Sequence, residues 1–178
     1  PPPNWAFVNA DAGEGPVLDV GCGSGIHFAA LPANMVPYGV EVSKESAKTA
    51  DALFRSRGGY VVHAPAKEGL TEFSESFFSG AFLRSYLEHD ADARDVLRIL
   101  RGKLRPDGVA IVKVPNYGSL NRRVMGRKWC GFRWPDHVNY FTISSLRRMA
   151  EGAGYSVRYP FILSLPSDDN MVAILRPA

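Results

Sequence analysis

Three glycines and two carboxylates lie where the ends of two predicted strands would meet. In the stretch VLDVGCGSG, Asp19 follows a short apolar run and is itself followed by Gly21, Gly23 and Gly25. Glycines in such a loop permit positive φ and let a ligand approach the backbone, at the strand end where doubly wound sheets bind their ligands. Asp19 could receive an ammonium group there. Glu41 ends the next apolar run, where an acid can accept hydrogen bonds from the two hydroxyls of a ribose.

The spacing of the glycines separates two classes of cofactor. A dinucleotide site favours G-x-G-x-x-G, with the pyrophosphate at the N-terminus of the following helix. This loop reads G-x-G-x-G, and the 178 residues are expected to form one domain, without a second one for dehydrogenase chemistry. A cofactor that has a ribose and an ammonium but no phosphate fits better, which favours S-adenosylmethionine.

The stretch WCGFRWPDHVNYFT, residues 129–142, could handle a proton. His137 is the only histidine in this aromatic segment, with Asp136 beside it and Tyr140 three residues further on. An unperturbed histidine pKa of about 6.5 suits a general base at cellular pH, so we predict His137 and Tyr140 as catalytic residues. The alternative for His137 is structural, with its ring anchoring the loop through hydrogen bonds to the backbone.

Basic residues lie close together just before and within this stretch. They are Arg122, Arg123, Arg127, Lys128 and Arg133. Such a cluster can orient an anionic ligand, or it can be a solvated surface. Together with the neighbouring rings it predicts a substrate-binding wall. The members of this predicted wall are Tyr117, Arg123, Arg127, Trp129, Arg133 and Trp134.

Alternating strand and helix patterns predict the scaffold that positions these residues. Short apolar runs predict strands over residues 15–20, 36–42, 60–64, 79–86 and 109–114. Helices are predicted to begin in GIHFAALPA, at Ser43, over 92–108 and at Thr142. Two consecutive strand patterns then close the chain and should pair antiparallel. The predicted fold is α/β: a doubly wound, mostly parallel seven-stranded sheet with an antiparallel C-terminal hairpin.

Length and composition fit one globular domain. The chain has 178 residues, of which 46% are hydrophobic and 22% charged, which predicts a single domain over residues 1–178. Residues 1–14 are predicted as a linker or a trimmed N-terminal cap, and residues 115–141 as an irregular substrate-side insertion. No apolar run approaches the roughly 18–20 residues that span a bilayer, which predicts no stable membrane insertion.

Cysteine usage and net charge limit which metals, compartments and partners are expected. Cys22 and Cys130 show neither a disulfide framework nor a metal-binding spacing, so we predict no metal site and a reducing, cytoplasmic location. A net charge of +3 is small for a protein that binds nucleic acid, which is therefore not the expected partner. The basic segment LNRRVMGRKW leaves docking to a membrane surface open, and the oligomeric state is open as well.

Several motifs together resemble class I S-adenosylmethionine-dependent methyltransferases. They are VLDVGCGSG, the acid in YGVEVS, SYLEHDADARDVLRILRGKLRPDG and the two closing strand patterns, and they extend from about residue 16 to residue 176. The motifs LEH, VPNYGSLNRRVMGRKW and HVNYFTISSLRRMAEGAGY more narrowly resemble the ubiquinone-biosynthesis-like subgroup, whose members methylate small molecules. The resemblance implies the same fold and S-adenosylmethionine as cofactor.

The resemblance also implies roles for individual residues. Asp19 and the three glycines would surround the methionine part of the cofactor, and Glu41 would hold the ribose. The remaining contacts would be made by Val42 and Ala66 with the adenine and by Arg84 and Ser85 on the sulfonium side. Pro65 departs from the family pattern, because it stands where relatives often have an acid for the adenine amino group.

These observations predict a methyltransferase that acts on a small molecule, with an anionic one favoured by the arginines. Two alternatives are kept. One is a methyltransferase fold that no longer catalyses and serves as an interaction module. The other is an RNA methyltransferase, in which rings and basic side chains would bind a single strand.

Overall fold

Buried apolar runs form a seven-stranded sheet that carries the site at one edge. A computed structural model of the chain describes residues 14–160 and 166–178. Its strands are β1 (Gly15–Val20), β2 (Met35–Glu41), β3 (Val61–His63), β4 (Phe78–Arg84), β5 (Leu104–Pro115), β6 (Tyr155–Arg158) and β7 (Asn170–Pro177). Its helices are α1 (Lys44–Arg55), α2 (Ala66–Gly69), α3 (Ala93–Lys103), α4 (Leu120–Met125) and α5 (Ile143–Gly152).

The strands are arranged in the order β3-β2-β1-β4-β5-β7-β6. Neighbours from β3 to β5 run parallel, and β7 runs antiparallel to both β5 and β6. The predicted fold is therefore confirmed, with the antiparallel strand lying between β5 and β6. Strand order reverses between β1 and β4, and a crevice outside the carboxyl ends of the strands at such a point is where open α/β sheets bind ligands.

Side chains of the central strands alternate between two cores. In β1, Leu18 and Val20 pack in one cluster with Leu97 of α3 and with residues of α5, whereas Val17 packs on the other face with Phe54 of α1. Both faces of the central strands are buried because helices cover both, as crossover connections between parallel strands require. This burial fixes the carboxyl edge of the sheet as a rigid base for the loops.

Two helices begin where the sequence predicts. The Ser43 side chain accepts a hydrogen bond from the backbone N–H of Ser46 at 3.4 Å and caps α1. Thr142 and Ser145 form a reciprocal capping box at the start of α5. Both arrangements satisfy backbone donors that the first turn of a helix leaves unpaired.

Three local expectations differ from the structure. The helix predicted over 92–108 ends at Lys103, because Leu104 is extended (φ −77°, ψ 143°) and pairs with Phe78 as the first residue of β5. The segment that begins GIHF forms only a short 3₁₀ turn over Ile26–Phe28. The region expected to be irregular, 115–141, contains α4, which Ser119 caps by accepting from the N–H of Arg122 at 3.0 Å.

Within residues 14–160 and 166–178, no helix has the length and apolar character needed to cross a membrane. The interpretation of residues 1–14 as a linker or cap falls, except for residue 14, outside the described part of the chain.

Candidate active site

The loop after β1 brings three glycines with left-handed backbone to the carboxyl edge of the sheet. Gly21, Gly23 and Gly25 have φ values of 71°, 54° and 76°. A Cβ on Gly21 would lie 2.5 Å from Cδ2 of Tyr86, so only glycine fits beneath that ring. On Gly23, by contrast, a Cβ would meet nothing within 4 Å. The loop therefore combines one tightly packed glycine with one that leaves its backbone accessible.

Glu41, at the end of β2, holds this loop in place. Its Oε2 accepts a hydrogen bond from the N–H of Gly23 at 2.8 Å, and its Oε1 accepts from the N–H of Ser43 at 2.8 Å. A carboxylate has about four acceptor positions, so both oxygens can accept further hydrogen bonds from a ligand. Glu41 is half-buried, and each of its two oxygens has one backbone donor.

A cavity of about 480 Å³, here called the first cavity, lies against these two elements. Its volume is typical of sites that bind small molecules and cofactors. Five of the residues predicted to bind the cofactor line it. They are Gly21, Glu41, Val42, Ala66 and Ser85. Pro65 lines it as well, and Tyr86 covers the glycine loop.

Asp19 and Arg84 form a buried ion pair outside the lining of this cavity. Nη2 of Arg84 lies 3.4 Å from Oδ2 of Asp19, and the two side chains are 13% and 3% exposed. Burial raises the pKa of Asp19 to about 7, although the neighbouring Arg84 guanidinium acts in the opposite direction. The carboxylate that could receive a ligand ammonium thus already has a cationic partner within the protein.

This pair gives unfolding a testable pH dependence. The pKa of Asp19 is about 7 in the folded chain and about 3.9 when unfolded. The stabilisation linked to its protonated form is therefore present below about pH 4 and is lost as the pH rises through 7. Between pH 5 and pH 8 the wild-type free energy of unfolding should fall by about 2–3 kcal/mol more than that of Asp19→Asn. Urea denaturation of both proteins at the two pH values measures this, and equal pH dependence in both would contradict it.

A second, smaller cavity adjoins the first. It has a volume of about 150 Å³ and shares Ser85 and His89 with the first cavity. Glu88, Arg133 and His137 also line it. Ser85 lies at the junction with a φ of 51°, a strained conformation for a residue other than glycine, and such strain is concentrated at functional sites. A methyl donor in the first cavity and an acceptor in the second would meet beside these two shared residues.

Long-range hydrogen bonds hold residues 129–142, here called the histidine segment, against the turn after β4. The backbone N–H groups of Val138 and Asn139 donate to the carbonyl of Glu88 at 2.8 and 3.0 Å. The side-chain amide of Asn139 donates to the carbonyls of Leu87 and Asp90 at 2.9 and 2.6 Å. These bonds bring His137 next to Glu88 and His89, residues that are far from it in sequence.

Glu88, His89 and His137 form a compact cluster at the second cavity. Glu88 and His137 are 1% and 4% exposed, and the two imidazole rings pack edge to face with centroids 4.7 Å apart. Nδ1 of His89 bonds the carbonyl of Asp136 at 2.8 Å, and Nδ1 of His137 bonds that of Gly131 at 2.9 Å. A carbonyl oxygen only accepts, so each Nδ1 carries a proton, and Nε2 is the nitrogen of each ring that is not used in these bonds.

Burial also shifts the titration of two members of this cluster. It raises the pKa of Glu88 and lowers the pKa of His137. Both shifts have the same cause, since loss of solvent disfavours the charged form of either group. His137 is therefore neutral at physiological pH, with a free Nε2 lone pair.

Two aromatic residues of the predicted wall, Tyr117 and Trp129, pack with Phe132 and Tyr140 and line neither cavity. The rings of Tyr117, Trp129, Phe132 and Tyr140 lie 5.4–6.2 Å apart between centroids. Trp129 is 2% exposed, and its Nε1 donates to Asp169 at 2.6 Å. These rings pack behind the histidine segment, and the ring centroids of Tyr140 and His137 are 6.5 Å apart.

The basic residues of the segment separate into three groups. The Arg122 guanidinium lies 4.0 Å from the ring centroid of Tyr117 and bonds its hydroxyl. Arg123 and Arg127 are exposed and line neither cavity, and Trp134 is exposed as well, at 80%. Arg133 alone among the predicted wall residues lines the second cavity.

Sequence reasoning gave no role to Glu88, which the structure buries at the second cavity. The signal that could have identified it is its place beside His89 in the motif LEH, directly after β4. A carboxylate that follows an apolar strand and precedes a histidine is an unusual residue to bury, because burial without a partner is costly.

A family model described as a methyltransferase domain matches residues 6–159. The chain belongs to this family. The expectation of a methyltransferase is thereby confirmed, and S-adenosylmethionine is the cofactor that the assignment implies. The comparison with curated proteins gave no match.

Solved structures share the fold of this methyltransferase. An S-adenosylmethionine-dependent methyltransferase from Archaeoglobus fulgidus is 17% identical, with a TM-score of 0.75 over 96% of this chain and 90% of that chain. A possible histamine N-methyltransferase from Thermotoga maritima is 19% identical, with a TM-score of 0.69 over 98% and 93%. The YcgJ protein from Bacillus subtilis is 15% identical, with a TM-score of 0.72 over 97% of each chain. At these identities the likeness shows the fold alone.

Proposed function

We propose that this methyltransferase transfers the methyl group of S-adenosylmethionine to a small anionic molecule bound in the second cavity. The observation that carries the proposal is the junction of the two cavities at Ser85 and His89. The first cavity has the glycine loop and Glu41, the acid assigned to the ribose. The second cavity has the guanidinium of Arg133 and two histidines. We place the chain in the ubiquinone-biosynthesis-like subgroup on the motifs LEH and HVNYFT, and in the cytoplasm because both cysteines are free.

The first cavity suits the donor. Glu41 would accept hydrogen bonds from the ribose hydroxyls, Val42 and Ala66 would contact the adenine, and Ser85 would face the sulfonium. Asp19 and Arg84 would support the loop from behind as a buried pair, while Gly23 and Gly25 shape its backbone. The bound cofactor supplies a methyl group activated by a positively charged sulfur.

The second cavity suits the acceptor. Methyl transfer requires the nucleophile to lie in line with the methyl group, about 3–3.5 Å away, with water excluded. We assign the removal of the acceptor's proton to this cavity, where the lone pair on Nε2 of His137 is available. Tyr140 and the rings of Tyr117 and Trp129 hold the segment in position, and Arg123, Arg127 and Trp134 form its outer surface.

Calorimetry with S-adenosylmethionine and with its demethylated product tests the donor half of the proposal. Binding of both is expected, and no binding at millimolar cofactor would overturn the enzyme assignment in favour of an interaction module. A methyl-transfer assay with labelled cofactor against pooled anionic metabolites and against total RNA tests the acceptor half. Transfer to RNA alone would replace the small-molecule acceptor with nucleic acid.

Arg133 provides a specific test of the acceptor's charge. A charge-assisted hydrogen bond contributes about 1.5–3 kcal/mol, so Arg133→Ala should raise KM for an anionic acceptor by about 10- to 100-fold. The measurement is steady-state kinetics with the identified acceptor and a neutral analogue. Arg148, an exposed arginine on α5, gives the matched control Arg148→Ala, which should leave KM unchanged. An equal rise for the neutral analogue would argue against recognition of charge.

A further inference from the structure

We propose that Glu88, His89 and His137 form a binding site for a divalent transition-metal cation at the second cavity. The proposal of a metal site is supported by the geometry of these three residues alone. Its role in catalysis, the binding of an acceptor oxygen, rests on the proposed function. Each residue offers one ligand atom, and these atoms all lie within 4.8 Å of one another.

The donor set determines the class of cation. Two imidazoles and one carboxylate suit Zn²⁺, Mn²⁺ and Fe²⁺, and a site with three protein ligands leaves coordination positions open for a substrate oxygen. Metal–ligand distances of about 2.0–2.2 Å require the three side chains to move slightly towards a common centre. His89 is exposed and can do so, whereas Glu88 and His137 are buried and fix the site.

The hydrogen bonds behind the two histidines are those that metal ligands need. A ligating imidazole usually donates its second N–H to a carbonyl or carboxylate, which fixes the tautomer and the ring orientation. His89 bonds Asp136 and His137 bonds Gly131 in this way, each through Nδ1 and each to a backbone carbonyl. Both rings therefore present Nε2 as the free ligand atom, although His89 and His137 are far apart in the sequence.

Glu88 supplies an independent observation. Its side chain is 1% exposed and lines the second cavity, yet Oε2 has no hydrogen-bond partner among the described residues. A buried polar atom without a partner is rare in a folded protein, because it loses its hydration and gains nothing in return. A cation between Glu88 and the imidazoles would give this oxygen its missing partner.

The surroundings of the cluster allow a cation and an anionic acceptor together. Arg133 and Asp169 both line the second cavity, so a guanidinium and a carboxylate lie on it beside the cluster. An acceptor could coordinate the cation through a hydroxyl oxygen and pair its anionic group with Arg133. Coordination lowers the pKa of the hydroxyl, so that its proton is released to solvent and the oxygen becomes the nucleophile. In the metal-loaded protein, His137 thus acts as a ligand and not as a proton acceptor.

Titration of the full chain with Mn²⁺ and with Zn²⁺ tests the site, with calorimetry for both ions and electron paramagnetic resonance for Mn²⁺. One site per chain is expected. Glu88→Gln and His137→Gln should each weaken binding by more than about 10-fold, while His27→Gln, an exposed histidine outside both cavities, should not change it. Unfolding midpoints of the variants show whether they fold, and nitrogen couplings from imidazole in the resonance spectrum of wild type test the ligands without any variant. No binding, equal binding by all variants, or no imidazole coupling would overturn the proposal.

Cofactor calorimetry separates failure of this proposal from failure of the proposed function. Binding of S-adenosylmethionine without binding of either metal ion overturns the metal site and leaves the methyltransferase assignment intact. Once an acceptor is known, removal of metal with a chelator should abolish turnover, and addition of Mn²⁺ or Zn²⁺ should restore it. Full turnover in the chelator would overturn the catalytic role of the metal and return proton removal to His137.

Discussion

Replacement of His137 by glutamine is expected to lower kcat by about 100-fold or more while the affinity for S-adenosylmethionine stays unchanged. Nδ1 of His137 bonds the carbonyl of Gly131, which leaves Nε2 as the nitrogen of this ring that has no hydrogen bond within the described residues. Glutamine can still donate an N–H to the carbonyl of Gly131, so the loop keeps its anchor, but its amide has no basic nitrogen. The predicted loss therefore comes from chemistry at the second cavity and not from unfolding.

Two measurements give this prediction its controls. Single-turnover methyl transfer reports the chemical step, and calorimetry with the cofactor reports the first cavity. His27→Gln changes an exposed histidine that lines neither cavity and should retain wild-type turnover. Wild-type turnover in His137→Gln would leave His137 with the structural role that its bond to Gly131 already shows.

The scaffold could be predicted from sequence because its signals are local. The apolar run of β1, the loop glycines and the capping residues Ser43 and Thr142 each determine the conformation of a few neighbouring residues. The predicted end of α3 is wrong because a long-range contact decides it. Leu104 continues the apolar stripe of the helix, yet its pairing with Phe78 draws it into β5. Tertiary pairing there overrides the helical pattern.

The donor half of the site could be predicted from local sequence motifs, whereas the acceptor half depends on long-range contacts. The donor half follows from contiguous motifs, because the ends of β1 and β2 are adjacent in the sheet, with Asp19 opposite Gly39. The acceptor half depends on hydrogen bonds between Asn139 and the turn after β4, across about 50 residues of chain. No sequence pattern in either segment indicates that these hydrogen bonds form, so the position of Glu88 beside His137 could not be predicted from the sequence.

The aromatic segment shows a further limit of composition. Rings that wall a pocket and rings that pack behind it belong to the same residue types. In the structure Trp129 is buried against Asp169, while Trp134 is exposed to solvent, although both were predicted to face the acceptor. What separates them is the path of the backbone after α4, which turns one ring inward and the other outward.

Glu41→Ala is expected to lower the affinity for S-adenosylmethionine by about 100-fold. Hydrogen bonds to a charged group contribute about 1.5–3 kcal/mol each, so the two ribose contacts assigned to Glu41, taken at the lower end of this range, account for a loss of about 100-fold. The substitution also leaves the N–H groups of Gly23 and Ser43 without their acceptor. Glu41→Gln keeps one carbonyl oxygen and should lose only about 10-fold.

Calorimetry and thermal unfolding, measured on the same samples, separate the two roles of this carboxylate. Glu45→Ala, an exposed acid in the first turn of α1, removes the same charge nearby and should keep wild-type affinity. If Glu41→Ala binds the cofactor weakly but unfolds at the wild-type temperature, Glu41 acts mainly on the ligand. If the midpoint falls as well, part of the loss comes from the glycine loop, whose N–H of Gly23 has lost its acceptor. Wild-type affinity in Glu41→Ala would show that Glu41 does not bind the ribose. The donor would then have to lie elsewhere in the first cavity.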